Sequence, residues 1–205
     1  MRDGCSGLVL SGGQGTRMGG ADKGLMPWCG RPMVEWVCRQ MRPWVGELAI
    51  SCNRNVASYA AFCDRTLSDA HTGYPGPLAG ILAGLRSLCG THLLVTPCDL
   101  PAIEHELLRE LQQLALAHPG RIAVVRQGER LQPLLCVLPS SLLAAIECAW
   151  AAGERSPSRL WQRLGTCELA CRTDDPRLLN FNCPEVLLAA RQPAHGEWGS
   201  YVDHR

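Results

Sequence analysis

The chain has 205 residues, 20 basic and 19 acidic side chains and a formal charge of +1, a size suited to one domain and a charge balance that excludes a duplex-nucleic-acid binder built on a sheet of cations. Its twelve cysteines are spread through a chain far longer than a small disulfide scaffold, and no run approaches the ~18 apolar residues that cross a bilayer. Met1 to Cys5 lack the basic-then-apolar run of a secretory leader, so the expectation is a cytoplasmic protein whose reduced thiols act mostly as small core residues.

In chain order, Gly7 to Leu10 is a short apolar run that ends in glycines, which predicts a buried strand. Apolar residues at Met33, Trp36, Val37 and Met41 after Pro32 predict a helix, and Glu47 to Cys52 a strand. Pro77 to Leu88 reads as a helix with Leu78, Ile81, Leu82 and Leu85 on one face. His92 to Thr96 is a strand stopped by Pro97, and Glu104 to Ala117 is a strongly periodic helix. Strands follow at 122–125 and 134–137, then a helix at 140–152 and a last one opening near Pro184.

Alternating strands and helices imply a mostly parallel sheet covered on both faces, a three-layer α/β fold. The strands are continuous apolar runs, as burial on both faces requires. One domain is expected over 1–192, and the polar, aperiodic 193–205 reads as a flexible C-terminal tail.

The densest chemical signal lies between Leu8 and Gly24. Six glycines (Gly12, Gly13, Gly15, Gly19, Gly20 and Gly24) follow the first strand, with Arg17 and Lys23 among them. Glycines let backbone N–H groups approach an anion closely, and two cations complete what a triphosphate needs. The dinucleotide fingerprint fails because Met18 occupies its last glycine place. The P-loop fails because Lys23 stands between Asp22 and Gly24 rather than before Ser or Thr. Asp99 lies just past a predicted strand, on the sheet edge where α/β folds bind ligands, although a helix N-cap would explain it too.

Four motifs now stand in order: Leu10-Ser11-Gly12-Gly13 with Arg17-Met18-Gly19 and Asp22-Lys23, then Tyr74 to Gly80, Pro97 to Pro101, and Asn180 to Glu185. In this order they resemble the molybdenum cofactor guanylyltransferase family, over nearly the whole chain. The resemblance implies a Rossmann-like nucleotidyltransferase fold that transfers GMP from GTP to the terminal phosphate of molybdopterin, releasing pyrophosphate. It implies Mg²⁺ on Asp99, with Arg17, Lys23 and Asp99 as the catalytic set. It places Leu10, Ser11, Gly12, Gly13, Lys23, Ser51, Asn53, Asp69 and Asp99 at the nucleotide. Ser51 stands where the family often has Asn, so the contact falls to its hydroxyl or to Asn53, and Asp69 also reads as a turn or cap residue.

The candidates for the second substrate are Gly76, Gly80, Arg155, Asn180 and Asn182, and the resemblance tips Asn180 and Asn182 towards molybdopterin. Asn180 and Asn182 flank Phe181 and share a side if the stretch is extended, suiting a pterin-like ring; caps ahead of Pro184 are the other reading. Gly80 equally suits close helix packing. Gly153-Glu154-Arg155 looks like a C-cap followed by an exposed pair, with Arg155 alternatively clamping an anion. Cys167 and Cys171 lack a second pair at zinc spacing and read as core thiols, as Trp36 and Trp150 read as core rings; no His is given a catalytic role.

A phosphate monoester is already anionic near pH 7, so the chemistry needs neutralisation and in-line placement rather than a dedicated base. Competing readings are a cytidylyltransferase on the same cofactor, a sugar-phosphate nucleotidyltransferase, and a nucleotide-binding module without turnover. In the family, Gly12-Gly13 goes with guanine, where the cytosine enzymes usually carry Ala before the second Gly. Expected partners are GTP and molybdopterin, with transient contacts to proteins that make or accept the cofactor, and neither nucleic acid nor membrane.

Overall fold

The computed structural model describes residues 4–11, 22–68, 76–87 and 89–181. Gly12, Gly13, Arg17, Asp69, Asn182, the helix expected near Pro184 and the tail 193–205 lie outside the described residues.

The strands are β1 (Cys5–Leu10), β2 (Pro27–Trp28), β3 (Arg31–Pro32), β4 (Glu47–Ser51), β5 (Arg65–Leu67), β6 (His92–Pro97), β7 (Ile122–Gln127), β8 (Arg130–Pro139) and β9 (Thr166–Cys171). The helices are α1 (Met33–Met41), α2 (Val56–Ala60), α3 (Pro77–Ser87), α4 (His105–Ala117), α5 (Leu143–Ala151) and α6 (Pro157–Leu164). Seven strands form one sheet in the order β5-β4-β1-β6-β8-β7-β9, and β2 and β3 form a small separate hairpin. Within the large sheet β8 alone runs against its neighbours.

Helices cover both faces. Val34, Val37 and Met41 of α1 and Leu107, Leu108 and Leu111 of α4 pack with Val9, Ile50 and Leu94 on one side. Leu78, Ile81 and Leu82 of α3, Ile146 of α5, and Leu160 and Trp161 of α6 pack with Leu8, Leu10 and Val95 on the other. Each such side chain removed from water contributes about 1.5–3 kcal/mol before the cost of ordering the chain. Three layers result, as the alternation of elements implies.

Several elements go beyond the apolar pattern. β7 and β8 run to Gln127 and from Arg130, joined by a tight loop in which Gly128 has a φ of +55°. Pro133 sits where the β7–β8 register shifts, so its missing N–H breaks no regular ladder. α6 begins with Ser156 Oγ accepting from the Arg159 amide, with Pro157 at the first helical position, and Trp161 Nε1 donates to the Pro133 carbonyl at 2.9 Å. The run read as one helix from 140 is a 3-10 turn (Ser140–Leu142) followed by α5.

Candidate active site

Strand order reverses between β1 and β6, the switch point at which open α/β sheets bind ligands. Leu10 and Pro97 are register partners at the carboxyl ends of these strands. Just beyond, the Cys98 amide donates to the Leu10 carbonyl at 3.1 Å and the Ser11 amide to the Ser51 carbonyl at 2.8 Å. Leu10, Ser11 and Ser51 are therefore brought together on one rim, all buried. Asn53 follows in the half-buried turn after β4.

Asp99 stands on this rim. Its Oδ2 accepts from Lys23 Nζ at 2.6 Å, and the two side chains are 14% and 24% exposed. Its Oδ1 is buried without a hydrogen-bond partner among the described residues. The Asp99 backbone carbonyl accepts from the Phe181 amide at 3.2 Å. Asp99 is not the cap of the next helix: Glu104 holds that position for α4. The neighbouring Cys98 thiol is pushed up to about 12, first by burial and then by the Asp99 charge, so it stays neutral.

Lys23 begins a 3-10 turn (Lys23–Leu25), and the residue before it is held on several sides. Ser11 Oγ donates to Tyr59 Oη at 2.5 Å, and Tyr59 Oη donates to Asp22 Oδ1. Asn55 Nδ2 donates to Asp22 Oδ2 at 2.9 Å, with Arg54 Nε 3.5 Å from the same oxygen. The Asp22 carbonyl accepts from the Leu25 amide at 3.1 Å. Tyr59 is fully buried, and desolvation, followed by its bond to Asp22, drives its hydroxyl well above the usual tyrosine range. It is thus a neutral donor and acceptor. Sequence reading missed Tyr59, Asn55 and Arg54 as a group, because only the fold brings them to Asp22.

The residues expected at the second substrate divide. Gly76, at φ +95°, precedes α3, and a Cβ built on it would lie 3.9 Å from the Arg155 carbonyl, so these two segments meet. Gly80 is buried in α3, where a Cβ would come within 2.6 Å of Ser51 Oγ and 2.9 Å of Leu10; it lets the helix approach the strand ends. Arg155 stacks its guanidinium 3.7 Å from the Trp150 ring centre and donates to the Trp150 and Glu154 carbonyls at 2.8 Å. Asn180 is exposed beside buried Phe181.

Two readings of ordinary side chains need correction. Glu154 is not part of an exposed pair: its side chain is 11% exposed, and it accepts from the Arg155 and Ser156 amides and from Arg159. Trp36 and Trp150 are half-buried, and among the described residues Trp161 is the fully buried indole. Trp36 belongs to an aromatic group with Trp28 and Phe181, its Nε1 donating to the Trp28 carbonyl at 2.8 Å, with ring centres 5.4 and 5.6 Å apart. Cys167 is buried and Cys171 half-buried in β9, consistent with packing.

Beside the Asp99 loop, an open hollow of about 340 Å³ is lined by Glu104, Arg172, Asp174, Asp175, Pro176 and Arg177. Its charges answer one another, Arg172 to Asp174 at 2.8 Å and Arg177 to Asp175 at 2.7 Å. Among the described residues no three His, Cys, Asp or Glu side chains cluster to cage a metal ion, and no helix is long and apolar enough to cross a membrane.

A parallel-sheet switch point carrying a lysine and an aspartate on adjoining loops defines an α/β enzyme that handles anionic, nucleotide-like substrates. The chain belongs to the MobA-like NTP transferase domain family, whose profile matches residues 7–167. It is 49% identical over 183 residues to a molybdenum cofactor guanylyltransferase of Pseudomonas fluorescens (strain Pf0-1), covering 89% of this chain and 92% of that protein. It is also 49% identical over 187 residues to the enzyme of that name from Ectopseudomonas mendocina (strain ymp), covering 91% of each. In fold it is similar to the molybdopterin-guanine dinucleotide biosynthesis protein A of Archaeoglobus fulgidus, with a TM-score of 0.73 at 23% identity over 90% of this chain and 96% of that one.

Proposed function

We propose that the chain transfers GMP from GTP to the terminal phosphate of molybdopterin, giving a guanine dinucleotide cofactor and pyrophosphate. The observation that carries this reading is the Lys23–Asp99 pair at the β1–β6 switch point. Relatives 49% identical over nine-tenths of the chain bear the guanylyltransferase name, which supports GTP and molybdopterin as the substrates.

The reaction forms a bond between a molybdopterin phosphate oxygen and the α-phosphorus of GTP, and breaks the bond to pyrophosphate. The attacking monoester is already ionised, so no protein base is required. The work left to the protein is neutralising crowded negative charge and holding the two phosphates in line. Lys23 Nζ donates to the triphosphate, exchanging its carboxylate partner for a phosphate oxygen. On the family resemblance, Arg17 and the glycines between 12 and 20 would add further donors to the phosphates.

The buried Oδ1 of Asp99, without a hydrogen-bond partner among the described residues, fits a hard divalent cation such as Mg²⁺, which keeps water and phosphate in its shell. Bound there, Mg²⁺ would supply positive charge against the phosphates; Asp99 would hold it. Asn180, beside Asp99 through Phe181, offers an amide to the second substrate. Transient docking with proteins that deliver or accept the cofactor, in the cytoplasm, belongs to the same reading.

The test is pyrophosphate release by the purified protein with molybdopterin, magnesium and either GTP or CTP. Release with GTP and little with CTP is expected. Preference for CTP would overturn the guanylyl assignment, and release with neither would overturn the transferase reading.

A further inference from the structure

Tyr59 lies in short helix α2, yet its hydroxyl is bonded to residues on both sides of the glycine-rich stretch: it accepts from Ser11 and donates to Asp22. Ser11 and Asp22 are the described residues on either side of positions 12–21, and one oxygen joins the two. Tyr59 is fully buried, and Ser11 is 5% and the Asp22 side chain 7% exposed, so water competes little for these bonds. The next turn rests on the same group. A Cβ on Gly24 would fall 2.5 Å from Ser11 Oγ and 2.6 Å from Tyr59 Oη, so the turn carrying Lys23 lies directly on the hydroxyl pair. Asp22 meanwhile starts that turn through its carbonyl and is gripped at its carboxylate by Tyr59, Asn55 and Arg54. Lys23 is the first residue beyond this anchor, and its ammonium reaches Asp99.

We propose that the Tyr59 hydroxyl is a positioning group for Lys23: by holding Ser11 and Asp22 to one oxygen, it fixes the turn from which the lysine reaches the reacting phosphates. This rests on the reading of Lys23 as a phosphate contact. Tyr59 is fully buried with its hydroxyl turned to Ser11 and Asp22, so on this proposal it acts through another residue. Its effect on the rate must therefore vanish when that residue is gone, whereas a role in stability alone would persist.

The experiment is a double-mutant cycle of Tyr59→Phe and Lys23→Ala, read as steady-state kcat and KM for GTP in the pyrophosphate-release assay, with Tm recorded for each protein. Tyr59→Phe is expected to lower kcat/KM by roughly ten- to a hundredfold in the unmodified background, since small misplacements of a catalytic group cost rate steeply. In the Lys23→Ala background the same change is expected to cost less than about twofold. An equal factor in both backgrounds, or unimpaired turnover by Tyr59→Phe, would overturn the positioning role. If Tyr59→Phe does not fold, Asp22→Ala removes the same anchor from the other side and is put through the same cycle with the same criteria. Failure of the transferase reading is separate: the unmodified protein would then release no pyrophosphate from GTP at all.

Discussion

The amide of Phe181 donates to the carbonyl of Asp99 at 3.2 Å, tying the last described residue of the chain to the loop after β6. The bond is reinforced from the side by the Trp28 ring, 5.6 Å from Phe181 between centres. Two segments distant in sequence thereby meet at the backbone of Asp99.

Phe181→Ala removes a buried aromatic ring and leaves a cavity beside Trp28, a change that costs about 3–5 kcal/mol. In a chain of this size Tm should fall by roughly 10 °C. Turnover at 25 °C should fall as well, because the Asp99 loop loses its brace. Differential scanning calorimetry and the pyrophosphate assay check the two halves; an unchanged Tm would show that the ring carries no packing energy.

Asp99→Ala removes a turn side chain that is no part of the apolar core, so the protein should fold. Turnover should drop about 10²-fold or more, the scale of loss when one preorganised electrostatic group is deleted. Titration with magnesium should no longer saturate in the same range. Activity within a few-fold of the unmodified enzyme would contradict a metal-holding role.

Lys23→Ala should chiefly weaken the nucleotide. A charge-assisted bond to phosphate corresponds to roughly a ten- to hundredfold change in affinity. Isothermal titration with GTP in magnesium measures it directly, and an unaltered dissociation constant would remove Lys23 from the phosphate site.

Much of this architecture is legible in the sequence because burial writes a pattern. β1, β4 and β6 are short apolar runs, and α3 and α4 repeat apolar residues at helical spacing. β5 is only Arg65-Thr66-Leu67 and contains no readable period. β9 alternates as Cys167, Leu169 and Cys171, the pattern of an edge strand with one face outward. α6 was not among the expected helices, although Ser156-Pro157 followed by Leu160, Trp161 and Leu164 carries the signal of a capped amphipathic start. Lys23 and Asp99 were readable from their motifs. Tyr59 was not, because its partners Ser11 and Asp22 lie 48 and 37 residues away and no local spacing announces the contact.

Gly80→Ala places a methyl group 2.6 Å from Ser51 Oγ and 2.9 Å from a Leu10 methyl. Both neighbours are buried, so α3 must shift. Overpacking of this kind costs about 1–3 kcal/mol. Thermal unfolding should register a Tm several degrees lower; no change would mean that the helix can slide outward freely.

Glu154 supplies a pH-dependent increment of stability. Hydrogen bonds from Arg159 and from the Ser156 amide hold its carboxyl down at about 2, against an ordinary 4.5. A group whose folded value is depressed stabilises fully above the unfolded value and loses that contribution as the pH falls through the folded one. The gap in Tm between the unmodified protein and Glu154→Gln should therefore be widest above pH 4.5, shrink steadily below it and close near pH 2. A gap that does not vary with pH would show that the carboxylate charge contributes nothing.

Strand β8 enters the sheet between β6 and β7 although it follows both in the chain. A nascent polypeptide halted before Arg130 would therefore hold β6 with one open edge and β7 with no strand partner, because β9 also follows β8 in the chain. Such exposed edges invite chaperones or self-association. Synthesis of one hairpin return covers the β6 edge and joins β7 to the same scaffold.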